Sequence, residues 1–306
     1  MMKNKTALAV LCAALGNIIW GVSFPLITIG STMVPQTYIM LGHRFTLSTI
    51  VMLFMMLFGK KNKISFKGKN WKPVVLLLLM QLSYYLFETY GILYTNSTIS
   101  GLVLAVVPVV TIGTGALFLK EYPTRRQALF CILPVAGVII ISIAGKSLEV
   151  SNLYLGGLFL LLTLLSSAIY KTVNRKAAQE FSPFERTFLV LAASAIVFNV
   201  IGLKLSDWSV AAYVAPLANI KYLAVVFFLG LLCSIVANLL VNYAMSQMSV
   251  FKVASFGALS TLCSAVLGIF VMGDNVNVNI IVGGLLILVG VRQVTKPPRV
   301  RELEPK

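Results

Sequence analysis

The sequence predicts an all-α membrane protein of ten transmembrane helices, arranged as two five-helix repeats of inverted topology. Three observations predict it: the apolar composition, ten apolar runs of spanning length, and a self-similarity at a constant offset of half the chain. Of the 306 residues, 58% are hydrophobic and 11% charged, and the mean hydropathy is +0.93. A soluble domain carries about a quarter charged residues, so this composition excludes one. Each crossing of the hydrocarbon takes roughly 20 apolar residues, so ten crossings use about 200 and leave only short loops.

The runs are Ala7–Ile29, Thr37–Phe58, Pro73–Tyr94, Ser100–Leu119, Gln127–Ala144, Leu153–Tyr170, Phe184–Leu203, Ile220–Met245, Val250–Met272 and Val276–Val294. The first is too long for a signal-peptide core and lacks a small-residue cleavage site after it, so it is expected to remain as a span. Gly and Pro interrupt several runs, as in Trp20–Pro25, Val107-Pro108 and Leu133-Pro134. Membrane helices tolerate these where neighbours satisfy the freed backbone groups. Cys12, Cys131, Cys233 and Cys263 all sit inside apolar runs without metal-ligand spacing, and read as small buried hydrophobes.

The excess of 25 Lys and Arg over 9 Asp and Glu fits cytoplasmic loops better than nucleic-acid binding. With ten spans, 21 of the 25 basic side chains fall on the side of both termini, and only Lys146, Lys204 and Lys221 fall on the other. Arg44 lies within a span. Both termini are therefore expected in the cytoplasm, and the protein in the cytoplasmic membrane. The lysine-rich segment Lys60–Lys72, which includes Trp71, is expected to lie against anionic lipids of the inner leaflet.

Shifting the chain by 153 residues places Tyr90 on Tyr243, Ala105 on Ala258, Gly115 on Gly268, Glu121 on Asp274, Gly137 on Gly290 and Val138 on Val291. Five spans per half is an odd number, so the two halves, residues 1–146 and 147–306, have opposite orientations. Inverted repeats of this kind are the architecture of secondary transporters, with the substrate site between the halves near the midplane.

The stretch from Tyr90 to Asn96, Ser100-Gly-Leu, Pro108, Leu119-Lys-Glu121 and Gly137-Val-Ile-Ile resembles the signature of the drug/metabolite transporter superfamily, and within it the EamA-like transporters. Trp20-Gly21 with Ser23-Phe24-Pro25, and Arg44-Phe45, fit the same pattern. The second half departs from it at Asp274, where Glu is usual, and at Thr261, which stands where the first half has Pro108. The resemblance implies ten helices in two inverted repeats, a central cavity and alternating access. It does not name a substrate, because the family handles amino acids, other metabolites and drugs.

Charges inside the membrane are costly and mark function by default. Arg44 and Glu88 lie on consecutive spans, roughly 9–11 Å below the outer surface at about 1.5 Å per residue, and are expected to face each other or a shared aqueous cavity. Two compatible roles are open: an ion pair that fixes helix packing, or a substrate or proton site with Glu88 as the proton carrier. Tyr84 and Glu88, and likewise Asn238 and Asn242, stand at i and i+4 on one helical face. Trp20 and Tyr170 close similar small-residue stretches, Ala14–Trp20 and Leu164–Tyr170, which suggests equivalent places in the two halves. All seven residues are candidates to line the cavity, where aromatic and amide groups suit zwitterionic or aromatic metabolites. His43, the single histidine, reads as a packing residue. Glu121 and Asp274 close their spans and read as turn or interface anchors.

These features predict a secondary-active or facilitative transporter, and more narrowly an exporter, of small organic metabolites such as amino acids or drug-like solutes, working as a monomer or homodimer without metal or cofactor. A channel would be expected to show a filter motif, and an enzyme a catalytic cluster; neither pattern is present, nor is a Walker A loop. In a cysteine-free chain, Ser209→Cys is expected to react with an impermeant thiol reagent added to intact cells, whereas Lys67→Cys is not. Labelling at 67 would overturn the ten-span topology.

Overall fold

The computed structural model describes residues 2–59, 64–65, 68–95, 103–143, 152–272 and 278–296. Nine helices among them are long and apolar enough to cross a membrane, and Val107–Leu119 is a shorter apolar one. No strand occurs among the described residues. The chain is a multi-pass membrane protein. Asp274, Lys67 and Lys60, Lys61 and Lys63 of the lysine-rich segment lie outside the described residues.

We number the spans α1 (Met2–Ser31), α2 (Thr37–Phe58), α3 (Lys72–Tyr94), α4 (Val107–Leu119), α5 (Arg125–Phe130 and Ile132–Ile143), α6 (Leu153–Ala177), α7 (Pro183–Leu205), α8 (Ile220–Gln247), α9 (Val250–Ser255 and Ala258–Met272) and α10 (Val278–Thr295). Local chemistry sets several starts. At α7, Ser182 and Glu185 form a capping box ahead of Pro183, and Thr124 with Gln127 does the same for α5. Each box satisfies backbone donors that hydrocarbon cannot. Asn152 caps α6 by accepting from Leu155 N, and its own N–H donates to Tyr94 O at the end of α3 (3.0 Å).

Several elements differ from the apolar runs, among them α5, which breaks at Cys131 into two pieces. α6 continues seven residues past Tyr170, because helix formation does not stop at the first lysine; Lys171, Asn174, Arg175 and Lys176 are thereby helical. In α8, Leu229–Val236 is wound as a π-helix. α9 breaks at Phe256–Gly257 into two pieces.

The strongest packing joins the halves and comes in matched sets: α3 lies on α6 as α8 lies on α1, and α4 on α6 as α9 on α1. The remaining major pairs, α2 with α7 and α5 with α10, join equivalent helices. This is the pattern of a two-fold pseudo-axis, and it holds at single residues. The Phe45 and Phe198 rings meet at 5.8 Å, and Asn199 Nδ2 donates to Thr46 Oγ1 at 2.6 Å; both pairs are 153 residues apart. A Cβ on Gly137 would lie 2.8 Å from Ile287, and its counterpart on Gly290 would meet Pro134. Adding 153 to Gly137 and subtracting it from Ile287 turns the first contact into the second. The fold is therefore the ten-helix, two-repeat one, with its interior on the axis between halves.

Candidate functional site

The π-helical stretch of α8 gathers residues from both halves. Winding through i→i+5 bonds displaces the helical ladder, and such segments recur at functional sites. Side chains add bonds to carbonyls there: Ser48 Oγ donates to Gly230 O (3.0 Å), Trp20 Nε1 to Cys233 O (3.0 Å), and Asn238 Nδ2 to Ser234 O (2.8 Å). The Ser234 hydroxyl accepts from Arg44 Nε at 2.6 Å. Trp20, Arg44 and Asn238 thus converge on two consecutive residues of α8.

Glu88 accepts a hydrogen bond from Tyr84 OH at 2.7 Å, one turn away on α3. Arg44 lies within electrostatic reach of Glu88 and Tyr85, yet no contact ion pair joins Arg44 to Glu88. The ion pairs among the described residues are Lys69–Glu185 (2.6 Å) and Arg175–Glu121 (2.8 Å). Tyr84, Tyr85, Glu88, Tyr170 and Lys171 are all half-buried, on the packed pair α3 and α6.

The end of the bundle that carries the basic loops is closed by a hydrogen-bonded layer. Arg186 is fully buried one turn into α7 and uses every donor it has. Nε donates to Phe181 O, one Nη to Asn174 O and Oδ1, and the other to Asn242 O (2.7 Å) and Ser246 Oγ (2.6 Å). Asn174 Nδ2 donates to Asn242 Oδ1 (2.7 Å), and Asn242 Nδ2 to Thr187 Oγ1 (2.8 Å). Beside it, Arg175 donates to Glu121, Met245 O and Ser246 O, while the other Glu121 oxygen accepts from Val250 N at 2.8 Å. Helices α4, α6, α7, α8 and α9 are tied together there.

The sequence candidates therefore divide. Trp20, Arg44 and Asn238 meet the π-helical turn, Tyr84, Glu88 and Tyr170 lie half-buried on the packed helices α3 and α6, and Asn242 belongs to the closing layer. His43 packs as expected, with Nδ1 2.8 Å from Tyr222 OH and its ring 4.6 Å from that of Tyr213. Sequence reasoning missed Lys171 and Arg186, which it counted with the other basic residues on the side of the termini. The signal available was helical phase: Lys171 follows Ser167 by four and precedes Asn174 by three, on one polar stripe. Of the lysine-rich segment, Lys69 is held by Glu185. No group of three or more His, Cys, Asp or Glu able to hold a metal occurs among the described residues.

A ten-helix bundle with polar side chains between inverted halves defines a membrane transporter. The EamA-like transporter family matches residues 7–143 and again 154–295, and the chain belongs to that family. Among its relatives, "Uncharacterized transporter YcxC" of Bacillus subtilis (strain 168) is 32% identical over 95% of this chain and 94% of its own. An "Uncharacterized transporter" of Archaeoglobus fulgidus is 22% identical over 90% of this chain and 95% of its own. A chain of known crystal structure superposes with a TM-score of 0.76 at 18% identity, over 93% of this chain and 95% of that one, which supports the fold.

Arg186 gives a direct test of the closing layer. Lysine carries the charge with three donors in place of five and cannot reproduce a planar fork. Arg186→Lys is expected to lower the unfolding midpoint in detergent by several degrees, since each buried acceptor left unpaired costs about 1–3 kcal/mol. An unchanged midpoint would show that the fork is not needed.

Proposed function

We propose that the protein is a secondary transporter that exports small organic metabolites, amino acids or drug-like solutes among them, across the cytoplasmic membrane by alternating access. The observation that carries this reading is the contrast between two polar layers. The layer at the basic end is saturated with hydrogen bonds. Above it, Glu88 and Lys171 each have one side-chain partner among the described residues, Tyr84 and Ser167. Groups with spare hydrogen-bonding capacity, enclosed by protein, are what a solute would occupy.

The positive-inside rule puts the basic end in the cytoplasm. In this conformation that side is sealed by Arg186, Asn174, Asn242 and the Arg175–Glu121 pair. Export requires the seal to part so that solute can enter from the cytoplasm, and then to reform while the opposite end opens. The π-helical turn of α8 is the natural pivot, because its backbone ladder departs from the α-helical one and side chains from α1 and α2 add bonds to its carbonyls.

Glu88 serves as the proton carrier in this reading. It is not locked in a contact pair with Arg44, so its charge can change as the cavity opens to either side. In proteoliposomes, preloaded solute is expected to drive counterflow of labelled solute, which a channel cannot do. With an imposed pH gradient, Glu88→Gln is expected to keep exchange and lose accumulation. Equal accumulation by Glu88→Gln and the parent would remove Glu88 from that role, and uptake without counterflow would favour a channel.

A further inference from the structure

Lys171 is an interior charge that no acidic side chain among the described residues answers. Arg186 is surrounded by oxygens, and Arg44 and Glu88 are opposite charges within electrostatic reach of each other. The Lys171 ammonium has three donors, and its hydrogen-bond partner is Ser167 Oγ at 3.0 Å on its own helix. No described Asp or Glu lies within ion-pair distance of it. Its stripe of α6 faces inward: Leu164, Ser167 and Asn174 are buried, while Leu158, Leu161 and Leu165 on the other side are exposed. Arg175, one turn on towards the basic end of α6, carries like charge.

A lone ammonium in such a place is disfavoured unless an anion meets it. On the proposed-function reading, the bound solute supplies that anion. We infer that Lys171 anchors an acidic group of the transported solute, and that the cavity takes small organic carboxylates with an apolar or aromatic body. One ammonium beside one hydroxyl matches a single negative charge; a phosphate dianion calls for more donors. The body of the solute has aromatic neighbours. Tyr170 adjoins Lys171, and α3 brings Tyr84 and Tyr85 about one and a half turns above it in the antiparallel register set by Leu77 against Val173 and Tyr94 against Asn152. Glu88 lies a further turn up, roughly 14 Å from Lys171 along the axis, and so leaves room for the solute between the two charges.

The test uses the full-length protein in detergent and thermal-shift titrations with benzoate, phenylacetate, indole-3-acetate and 4-methylvalerate, each beside its neutral amide, and with phenyl phosphate. The acids are expected to raise the unfolding midpoint saturably and the amides not. Lys171→Met, which keeps the apolar stem, is expected to weaken the response to the acids about ten- to hundredfold, the worth of a charged hydrogen bond, and Lys171→Arg to restore most of it. Equal responses to acids and amides, no response to any acid, preference for phenyl phosphate, or undiminished acid binding by Lys171→Met would each overturn the proposal. If Lys171→Met does not fold, the acid–amide contrast in the parent and in Lys171→Gln decides. Counterflow confined to neutral or cationic solutes would overturn this inference and keep the transporter reading. Acid binding that depends on Lys171 without any counterflow would do the reverse.

Discussion

Arg186 sets five donors and a full charge where no water reaches, and answers them with oxygens from α6, α8 and the turn before α7. Much of the arrangement follows from that demand. Asn174 and Asn242 are fixed because they serve Arg186, and their own amides then bind each other and Thr187. The neighbouring Arg175–Glu121 pair extends the layer to the start of α9. A charge this well served stabilises one packing of α6, α7 and α8, so its bonds must be exchanged as a group for the packing to change.

The pseudo-axis gives that change a direction. Because Phe45 meets Phe198 and Thr46 meets Asn199, the contact between α2 and α7 is made of equivalent residues. Rotation about such a contact costs little at the axis and moves the far ends most. α8 couples the two halves through its π-helical turn, where Trp20 of α1 and Ser48 and Arg44 of α2 hold its carbonyls and hydroxyl. Side-chain bonds of this kind can be traded one at a time. A regular helical ladder offers no such partial steps.

The fold was largely legible in the sequence because span length and the positive charges are properties of single segments, and the 153-residue offset follows from a sequence doubled on itself. Thr37–Phe58 matches α2 at both ends. The site was legible only in part. Tyr84 and Glu88 could be paired by helical spacing alone, since they share a helix. Arg44 with Ser234 could not, because 190 residues separate them and nothing local marks a serine as a partner. The π-helical turn left no signature, and Lys171 and Arg186 were hidden by their basic neighbours, which made a buried charge look like one more on the side of the termini. Tertiary packing decides these features, and it acts between segments that hydropathy treats one at a time.

The central claim is that the layer at the basic end is one of two alternating states. Spin labels at Gln179, in the turn after α6, and Gln247, at the end of α8, flank it from exposed positions in a chain freed of its four cysteines. Pulsed distance measurements in lipid nanodiscs should show two populations, a shorter distance with the layer closed and a longer one with it open. A solute that supports counterflow should change their ratio. A single narrow distance, unmoved by any solute that the protein transports, would contradict the account.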